Sequence, residues 1–258
     1  MAGSVPFLLI ASGALLAAAT LAALADLLAL RGDRRTVVQS LCGTAFLLLG
    51  AFLATSGTGR TSTAEVLAWI ALGSVGAHLL CIAWLKVRAL APFLLPVAAA
   101  AALAAPAMLG RPWASAGPAS APWMALHGIA ALSGISAFAT AFAAGALYLV
   151  QDRRLKSDPT RAGRLPSLET LDRINLAAIL LALPCWTAAL LAGILGAQAR
   201  WGGGWAHSRL VLFSAATWVI LASVAAVRLT AAARGRKIAL LSIATFLMAL
   251  AAMLGGHP

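Results

Sequence analysis

The chain has 258 residues, of which 62% are hydrophobic and only 10% are charged, so a soluble globular core is excluded as its main organisation. Its formal net charge of +12 at pH 7 would suggest a nucleic-acid partner in a soluble protein. Here the Lys and Arg residues lie in short polar stretches between long apolar runs, so membrane topology explains the charge and no nucleic-acid partner is expected.

The apolar residues are grouped in eight long runs. These runs lie at about 4–30, 36–55, 64–85, 89–109, 123–150, 174–197, 210–229 and 238–255. A bilayer core of roughly 30 Å requires about 20 apolar residues of helix. The runs are continuous rather than alternating, which excludes a transmembrane β-barrel, and a helix satisfies its own backbone polar groups in hydrocarbon. The sequence therefore predicts an all-α polytopic membrane protein with eight transmembrane helices that form a single domain over 1–258.

The Lys and Arg residues are divided unequally between the two sets of loops that eight helices would create. Fifteen of the 19 fall in one set, namely Arg31, Arg34, Arg35, Lys86, Arg88, Arg153, Arg154, Lys156, Arg161, Arg164, Arg173, Arg228, Arg234, Arg236 and Lys237. The other set contains Arg60, Arg111, Arg200 and Arg209. Cytoplasmic loops carry an excess of Lys and Arg, so the first set is predicted to be cytoplasmic. The N- and C-termini are then expected on the outer, periplasmic side of a bacterial inner (plasma) membrane.

A reporter fused after Pro258 tests this orientation. Alkaline phosphatase folds to an active form only outside the cytoplasm, so a fusion at this point is expected to be active. A reporter that works only in the cytoplasm should be silent at the same position. The reverse pattern would show that the C-terminus is cytoplasmic and that the assignment of the two loop sets is wrong.

Residues 151–173 form the longest and most basic polar stretch, which is predicted to be a cytoplasmic loop. Pro166 and Ser167 indicate a helix start within it, because proline fits an early helical position and serine can cap exposed N–H groups. Four apolar residues then recur at three-residue spacing and form one stripe, namely Leu165, Leu168, Leu171 and Ile174. We expect this stripe, opposite Glu169, Asp172 and Arg173, to lie on the membrane or to bind a partner protein.

The histidine of the fifth apolar run, His127, lies about one turn inside the start of its helix, near the predicted outer face. On its own face it is followed by small residues, Ala130, Ala131 and Gly134, which leave space for a flat ligand or for a closely packed helix. An adjoining face repeats small residues every fourth position, which lets membrane helices approach closely. These are Ser133, Ala137, Ala141 and Gly145. An ionisable group within the membrane is a functional candidate, and imidazole suits iron. The alternative is a histidine hydrogen-bonded to a neighbouring helix.

Several further residues share the predicted outer side with His127. Trp123 lies one turn before it, and Trp201, Trp205 and His207 lie in or beside the loop QARWGGGWAHSR between the sixth and seventh helices. Such tryptophans either form an aromatic belt at the level of the lipid headgroups or flank a bound cofactor. His207 is either a second ligand or an ordinary loop histidine.

Three stretches in the second half of the chain carry a resemblance to a known family. They read LHGIAALSGISAFATAFAAGALYLVQDRRLK, LPSLETLDR and ARGRKIALLSIATFLMALAAMLGG. In order and spacing they resemble the cytochrome c assembly superfamily, and in particular its short CcsA/HemX/YpjD-type branch of integral membrane proteins. Leu126 and His127 match the family's Leu-His pair, and Trp218 matches the tryptophan of its seventh helix.

This resemblance implies a haem-handling fold and gives the site residues a role. His127 is expected to bind haem iron, with His207 as the second axial ligand and with Trp123, Trp201 and Trp205 as cofactor-binding residues. The haem would be of b type and non-covalent. The outer loop, RWGGGWAHSRLVLF, departs from the tryptophan-rich WWD signature of haem-handling members, since it lacks the aspartate and has one histidine.

The remaining sequence limits the alternatives. It contains no GxSxG, HExxH, phosphate-binding loop or nucleotide-binding glycine motif, so catalysis by the polypeptide is not expected. The favoured function is a haem-binding accessory protein or chaperone of cytochrome c assembly, in the bilayer and with a membrane-protein partner. The alternative is a cofactor-free membrane scaffold or regulator, for example in tetrapyrrole regulation or metal-ion export. A small-solute transporter is less favoured, because no carboxylate is expected near the membrane midplane.

Overall fold

The computed structural model describes residues 4–28, 34–56, 62–111, 122–157, 165–201, 209–230 and 234–254. Its helices are α1 (Ser4–Leu27), α2 (Arg35–Ser56), α3 (Thr63–Leu85), α4 (Ala91–Ala104) with a 3-10 turn (Ala105–Met108), α5 (Pro122–Ser157), α6 (Leu168–Trp201), α7 (Arg209–Thr230) and α8 (Arg236–Leu254). No strand occurs within these described ranges. The prediction of an all-α membrane protein is therefore confirmed for the part of the chain that the structure describes.

Seven of these helices, α1 to α7, are long and apolar enough to cross a membrane. The last helix, α8, has 19 residues and begins with Arg236 and Lys237. The protein is thus a multi-pass membrane protein in contact with the lipid bilayer. The eighth span and the outward orientation of the termini stay predictions.

The described residues pack into two compact units, Met1–Ala116 and Gly117–Pro258. In the first unit, α1 packs against α2 and α4, and α3 also packs against both. The ends of α3 are well defined, because Ser62 and Glu65 form a capping box at its start and Lys86 adopts a left-handed conformation at its end. A single domain over 1–258 stays a prediction.

In the second unit, α5 packs against α6 and α8, and α7 packs against α6 and α8. The two central helices, α5 and α6, have 36 and 34 residues, so at about 1.5 Å per residue each is roughly 50 Å long. This exceeds a hydrocarbon core of roughly 30 Å. Both helices therefore extend beyond the bilayer, and on the predicted topology they do so at the cytoplasmic side.

The polar stretch predicted as a loop is shorter than expected. Its first part, up to Ser157, continues α5, and its last part, from Leu168, belongs to α6. The predicted helix start is confirmed, since the backbone N–H of Thr170 donates to Ser167 Oγ at 3.1 Å. The expectation for the apolar stripe was wrong at two of its positions. Leu171 and Ile174 are buried inside the second unit rather than lying on the membrane or on a partner.

Small residues at every fourth position of α5 allow it to approach α8 closely, as the sequence predicted. A Cβ atom added at Gly145 would lie 2.9 Å from the backbone oxygen of Ala239 on α8. One turn earlier on α5, the buried carbonyl of Ala141 accepts a hydrogen bond from Asn175 Nδ2 of α6 at 2.8 Å. The same Nδ2 also donates to Ser242 Oγ of α8 at 2.9 Å. Three helices of the second unit therefore meet at one buried polar contact.

Candidate functional site

His127 lies in the second turn of α5 and is hydrogen-bonded to α6. Its Nδ1 atom is 2.7 Å from the backbone oxygen of Ala189. A carbonyl oxygen only accepts hydrogen bonds, so Nδ1 must carry the proton and donate it. In a neutral imidazole the other nitrogen, Nε2, then carries the lone pair. The contact therefore selects the tautomer in which Nε2 is available as a ligand.

Gly193 makes this contact possible. It lies one turn after Ala189 on α6, and residues four apart share a helix face. A Cβ atom added at Gly193 would be 2.9 Å from Nδ1 of His127 and 3.1 Å from its Cε1. Real Cβ atoms do not approach so closely, so the imidazole occupies space that any other residue at position 193 would fill. The ring rests on the α6 backbone at this point.

The space beside Gly134 is filled, contrary to one of the two expectations for this face. A Cβ atom at Gly134 would lie 3.2 Å from the ring of Trp186 and 3.7 Å from Cys185 Cβ, both on α6. Ala130 is also buried. Ala130 and Gly134 therefore serve close helix packing rather than leaving room for a flat ligand. The hydrogen bond to a neighbouring helix is present, and the role of His127 as a ligand stays a prediction.

Several residues near His127 in the first turns of α5 are exposed. Trp123, one turn before His127 on the same face, is 47% exposed, and Leu126 and Ile129 are exposed beside it. A Cβ atom at Gly128 would meet no atom within 4 Å. Trp123 is the exposed aromatic residue nearest to His127 along the helix.

The other predicted site residues lie outside what the structure describes. Trp205 and His207 fall outside the described residues, and Trp201 ends α6 without a described side chain. The prediction of His207 as second ligand, and of Trp201 and Trp205 as cofactor-binding residues, therefore stays a prediction. Within the described ranges, no three His, Cys, Asp or Glu residues cluster to hold a metal ion. The described site thus offers one imidazole.

Two tryptophans that were not assigned to the site hold α6 in place. This helix contains Ala189 and Gly193, the residues that contact His127. Trp186 is buried, donates from Nε1 to the Ser214 backbone oxygen of α7 at 3.1 Å, and packs edge-on against Phe138 of α5. Trp218 of α7 donates from Nε1 to Thr187 Oγ1 of α6 at 2.8 Å. Buried tryptophan N–H groups usually find such partners. These contacts hold the segment before Ala189 and Gly193 against both neighbouring helices.

An ion pair joins α6 and α7 at the opposite end of the second unit. Arg228, near the end of α7, pairs through Nη1 with Asp172 Oδ1 and donates from Nη2 to the Asp172 backbone oxygen at 3.1 Å. Arg234, between α7 and α8, lies 3.9 Å from the other carboxylate oxygen. The Arg228 side chain is only 2% exposed, so Asp172 compensates a charge that is removed from water.

A second histidine is buried in the first unit. His78 of α3 is fully buried, and so is Ser74, one turn before it on the same face. The two ring nitrogens of His78 have no hydrogen-bond partner among the described residues, and the same holds for the Ser74 hydroxyl. Most other buried hydroxyls among the described residues bond to their own helix, as Ser12 and Thr20 do. His78 belongs to none of the sequence motifs that indicate the candidate site.

Almost the whole chain is similar to one known protein family. The family described as Cytochrome C assembly protein matches residues 8–256. Curated relatives include the cytochrome c biogenesis protein CcsA of Microcystis aeruginosa, which is 33% identical over 92 residues, or 36% of this chain and 28% of the relative. The CcsA protein of Nostoc punctiforme is 30% identical over 99 residues, or 38% of this chain and 28% of the relative.

These curated matches are partial. The CcsA protein of Synechocystis sp. is 32% identical over 83 residues, which cover 32% of this chain and 25% of the relative. In each of the three relatives the match therefore spans only about a quarter of its length. No solved structure matches the chain.

Proposed function

Because this chain belongs to the cytochrome c assembly protein family, we propose that it is a membrane accessory protein of cytochrome c biogenesis that binds haem. The family match confirms the resemblance drawn from the motifs of the second half. The CcsA relatives are named for cytochrome c biogenesis, which supports the same process for this chain.

The hydrogen bond between His127 and Ala189 is the observation that carries the haem proposal. An iron ligand must present a neutral imidazole nitrogen with a free lone pair. Metal-binding histidines usually donate their other N–H group to a carboxylate, a backbone carbonyl or water, which fixes the tautomer and the orientation of the ring. His127 has this arrangement, with Nδ1–H donating to a carbonyl at 2.7 Å. His127 and the Ala189 carbonyl therefore fit one axial position of haem iron.

The haem would be of b type and non-covalent. The three cysteines of the chain are isolated in apolar runs, and the sequence has no CxxCH motif for covalent attachment. His127 would hold the iron, Trp123 would lie beside the ring, and His207 with Trp201 and Trp205 would complete the site from the outer loop. Haem supplies an iron centre whose properties depend on its axial ligands; the protein supplies the ligand, its orientation and an apolar setting.

The protein would act as an assembly factor rather than as an enzyme. Its partners would be the bilayer and a membrane protein of the assembly pathway, and its location would be a bacterial inner membrane. One observation favours the cofactor-free alternative, a scaffold or regulator of a partner protein. The loop RWGGGWAHSRLVLF lacks the aspartate of the WWD signature. Haem binding by the purified protein separates the two functions.

The test uses the full chain, expressed in membranes with a haem precursor and purified in detergent. We expect an absorption spectrum with a Soret band that elutes together with the protein. A pyridine haemochrome assay should identify haem b. A folded protein that carries no haem, and that also takes up none when titrated with hemin, would contradict the haem proposal and favour the scaffold.

A further inference from the structure

We propose that Gly193 is a positioning residue for His127: because it has no side chain, the imidazole reaches the Ala189 carbonyl and is held with Nδ1 protonated and Nε2 unprotonated. The position and tautomer of the ring follow from the geometry of α5 and α6. The use of Nε2 toward iron rests on the proposed function.

The Ala189 carbonyl can accept a second hydrogen bond without breaking the helix. Within α6 its expected partner is the backbone N–H of Gly193, four residues later, and a carbonyl oxygen has two lone pairs. The imidazole must approach this oxygen over position 193. A side chain there would lie between the ring and the helix, as the distance of 2.9 Å from a Cβ atom to Nδ1 indicates.

Gly193 differs from the other glycines that bring helices of the second unit together. Gly134 lies against the ring of Trp186, and Gly145 lies against the backbone of Ala239. These two positions serve packing between apolar surfaces or backbones. Among the described glycines whose added Cβ would have a neighbour within 4 Å, Gly193 is the one that meets a histidine ring. Glycine inside a helix is less favourable than alanine. We attribute the glycine at position 193 to the space that the imidazole ring of His127 occupies there.

The first measurement needs no cofactor. Nitrogen-15 NMR of histidine-labelled, haem-free protein in detergent distinguishes protonated from unprotonated ring nitrogens, and a His127→Gln variant assigns the signals among the four histidines of the chain. In buffer alkaline enough to keep imidazole neutral, we expect wild-type His127 to have Nδ1 protonated and Nε2 unprotonated. In Gly193→Ala the ring must shift, so we expect this tautomer to give way to the mixture of a free imidazole.

Gly128→Ala is the matched control. It also replaces a helical glycine near the ring, but its added Cβ meets no atom within 4 Å, so the His127 signals should stay as in the wild type. Both variants exchange glycine for a better helix former. A gain in helix propensity therefore cannot explain a change that appears in only one of them. A Gly193→Ala protein with the wild-type tautomer, or a wild type with Nε2 protonated, would overturn the inference.

The second measurement uses the haem-loaded protein. Changes in the groups that orient a metal ligand typically reduce metal affinity or activity by about 10–100-fold. We expect Gly193→Ala to weaken haem affinity within that range and to alter the spectrum, while Gly128→Ala retains both. If the NMR result is as expected but the wild type binds no haem, the positioning role stands and the haem function fails. If haem binds but the tautomer is unchanged in Gly193→Ala, the positioning role fails alone.

Discussion

His127→Ala is expected to abolish the bound haem of the purified protein. The imidazole is the one nitrogen ligand that the described part of the second unit offers to iron, and its hydrogen bond to Ala189 prepares Nε2 for that role. Alanine replaces the imidazole with a methyl group, which cannot bind iron. The Soret band of the variant should be lost, or reduced to the level of haem adsorbed non-specifically to detergent micelles.

The substitution should leave the fold intact. The lost contact is one side-chain to backbone hydrogen bond, which contributes about 0.5–1.5 kcal/mol, and the Ala189 carbonyl retains its place within α6. Circular dichroism and size-exclusion behaviour should therefore match the wild type. Leu126→Ala is the matched control, since Leu126 is the neighbour of His127 on α5 and is exposed. Its variant should keep the full Soret band.

Two further variants complete this experiment. His207→Ala removes the predicted second ligand, so it should weaken haem binding or change the spin state, because axial ligands shape the haem spectrum. His127→Gly leaves a gap into which added imidazole can diffuse, and it should recover part of the band. A His127→Ala protein that retains haem with an unchanged spectrum would exclude His127 as the ligand.

Asp172→Asn is expected to destabilise the second unit by about 3–5 kcal/mol, the usual cost of removing one partner of a buried ion pair. Asp172 is the carboxylate that faces Arg228, whose side chain is 2% exposed, and Arg234 lies 3.9 Å away. Asparagine preserves the size of the side chain and removes its charge. Two guanidinium groups would then remain together, one of them buried beside a neutral amide in place of a carboxylate.

Unfolding of the detergent-solubilised protein by heat or denaturant measures this effect. Glu169→Gln is the matched control from the same turns of α6, because its pair with Arg173 is more than 70% exposed on both sides. Exposed pairs of this kind contribute less than about 1 kcal/mol. The double variant Asp172→Asn/Arg228→Gln should be more stable than Asp172→Asn alone, since it also removes the buried charge. Equal stability of Asp172→Asn and Glu169→Gln would show that the pair is not a stabilising contact.

Hydropathy predicted most helices but not where the two longest ones end. Hydropathy detects only the apolar residues that lie within the bilayer. A helix that continues beyond the bilayer becomes polar in sequence but keeps its backbone hydrogen bonds. The ends of α5 and α6 illustrate this. Asp152 pairs with Lys156 one turn later at 2.8 Å, and Glu169 pairs with Arg173 at 2.9 Å. Such pairs favour helix in water. The Asp152–Lys156 pair lies in a stretch that was predicted to be a loop, whereas the helix that contains Glu169 and Arg173 was predicted from Pro166 and Ser167.

The candidate site was predictable in its histidine but not in the residues that support it. His127 stood out as a histidine in an apolar run. Ala189 lies 62 residues further along the chain, and a small residue in a hydrophobic helix gives no sign of what it contacts. The spacing of Ala189 and Gly193, two small residues four apart, was the available signal. Asp172 was likewise assigned to a polar face, because its buried partner, Arg228, lies 56 residues away.

The contact made by Asn175 also sets the axial register of three helices. Smooth interfaces of small residues, such as Gly145 on Ala239, hold helices close but resist sliding only weakly. Asn175 bonds both to Ala141 of α5 and to Ser242 of α8. A slip by one helical turn, about 5.4 Å, would separate its amide from both acceptors in a medium without water to replace them. His127 belongs to α5, and Ala141 lies more than three turns further along the same helix. The hydrogen bond from Asn175 to Ala141 therefore also fixes the position of His127 along the helix axis, and with it the depth of His127 in the bilayer.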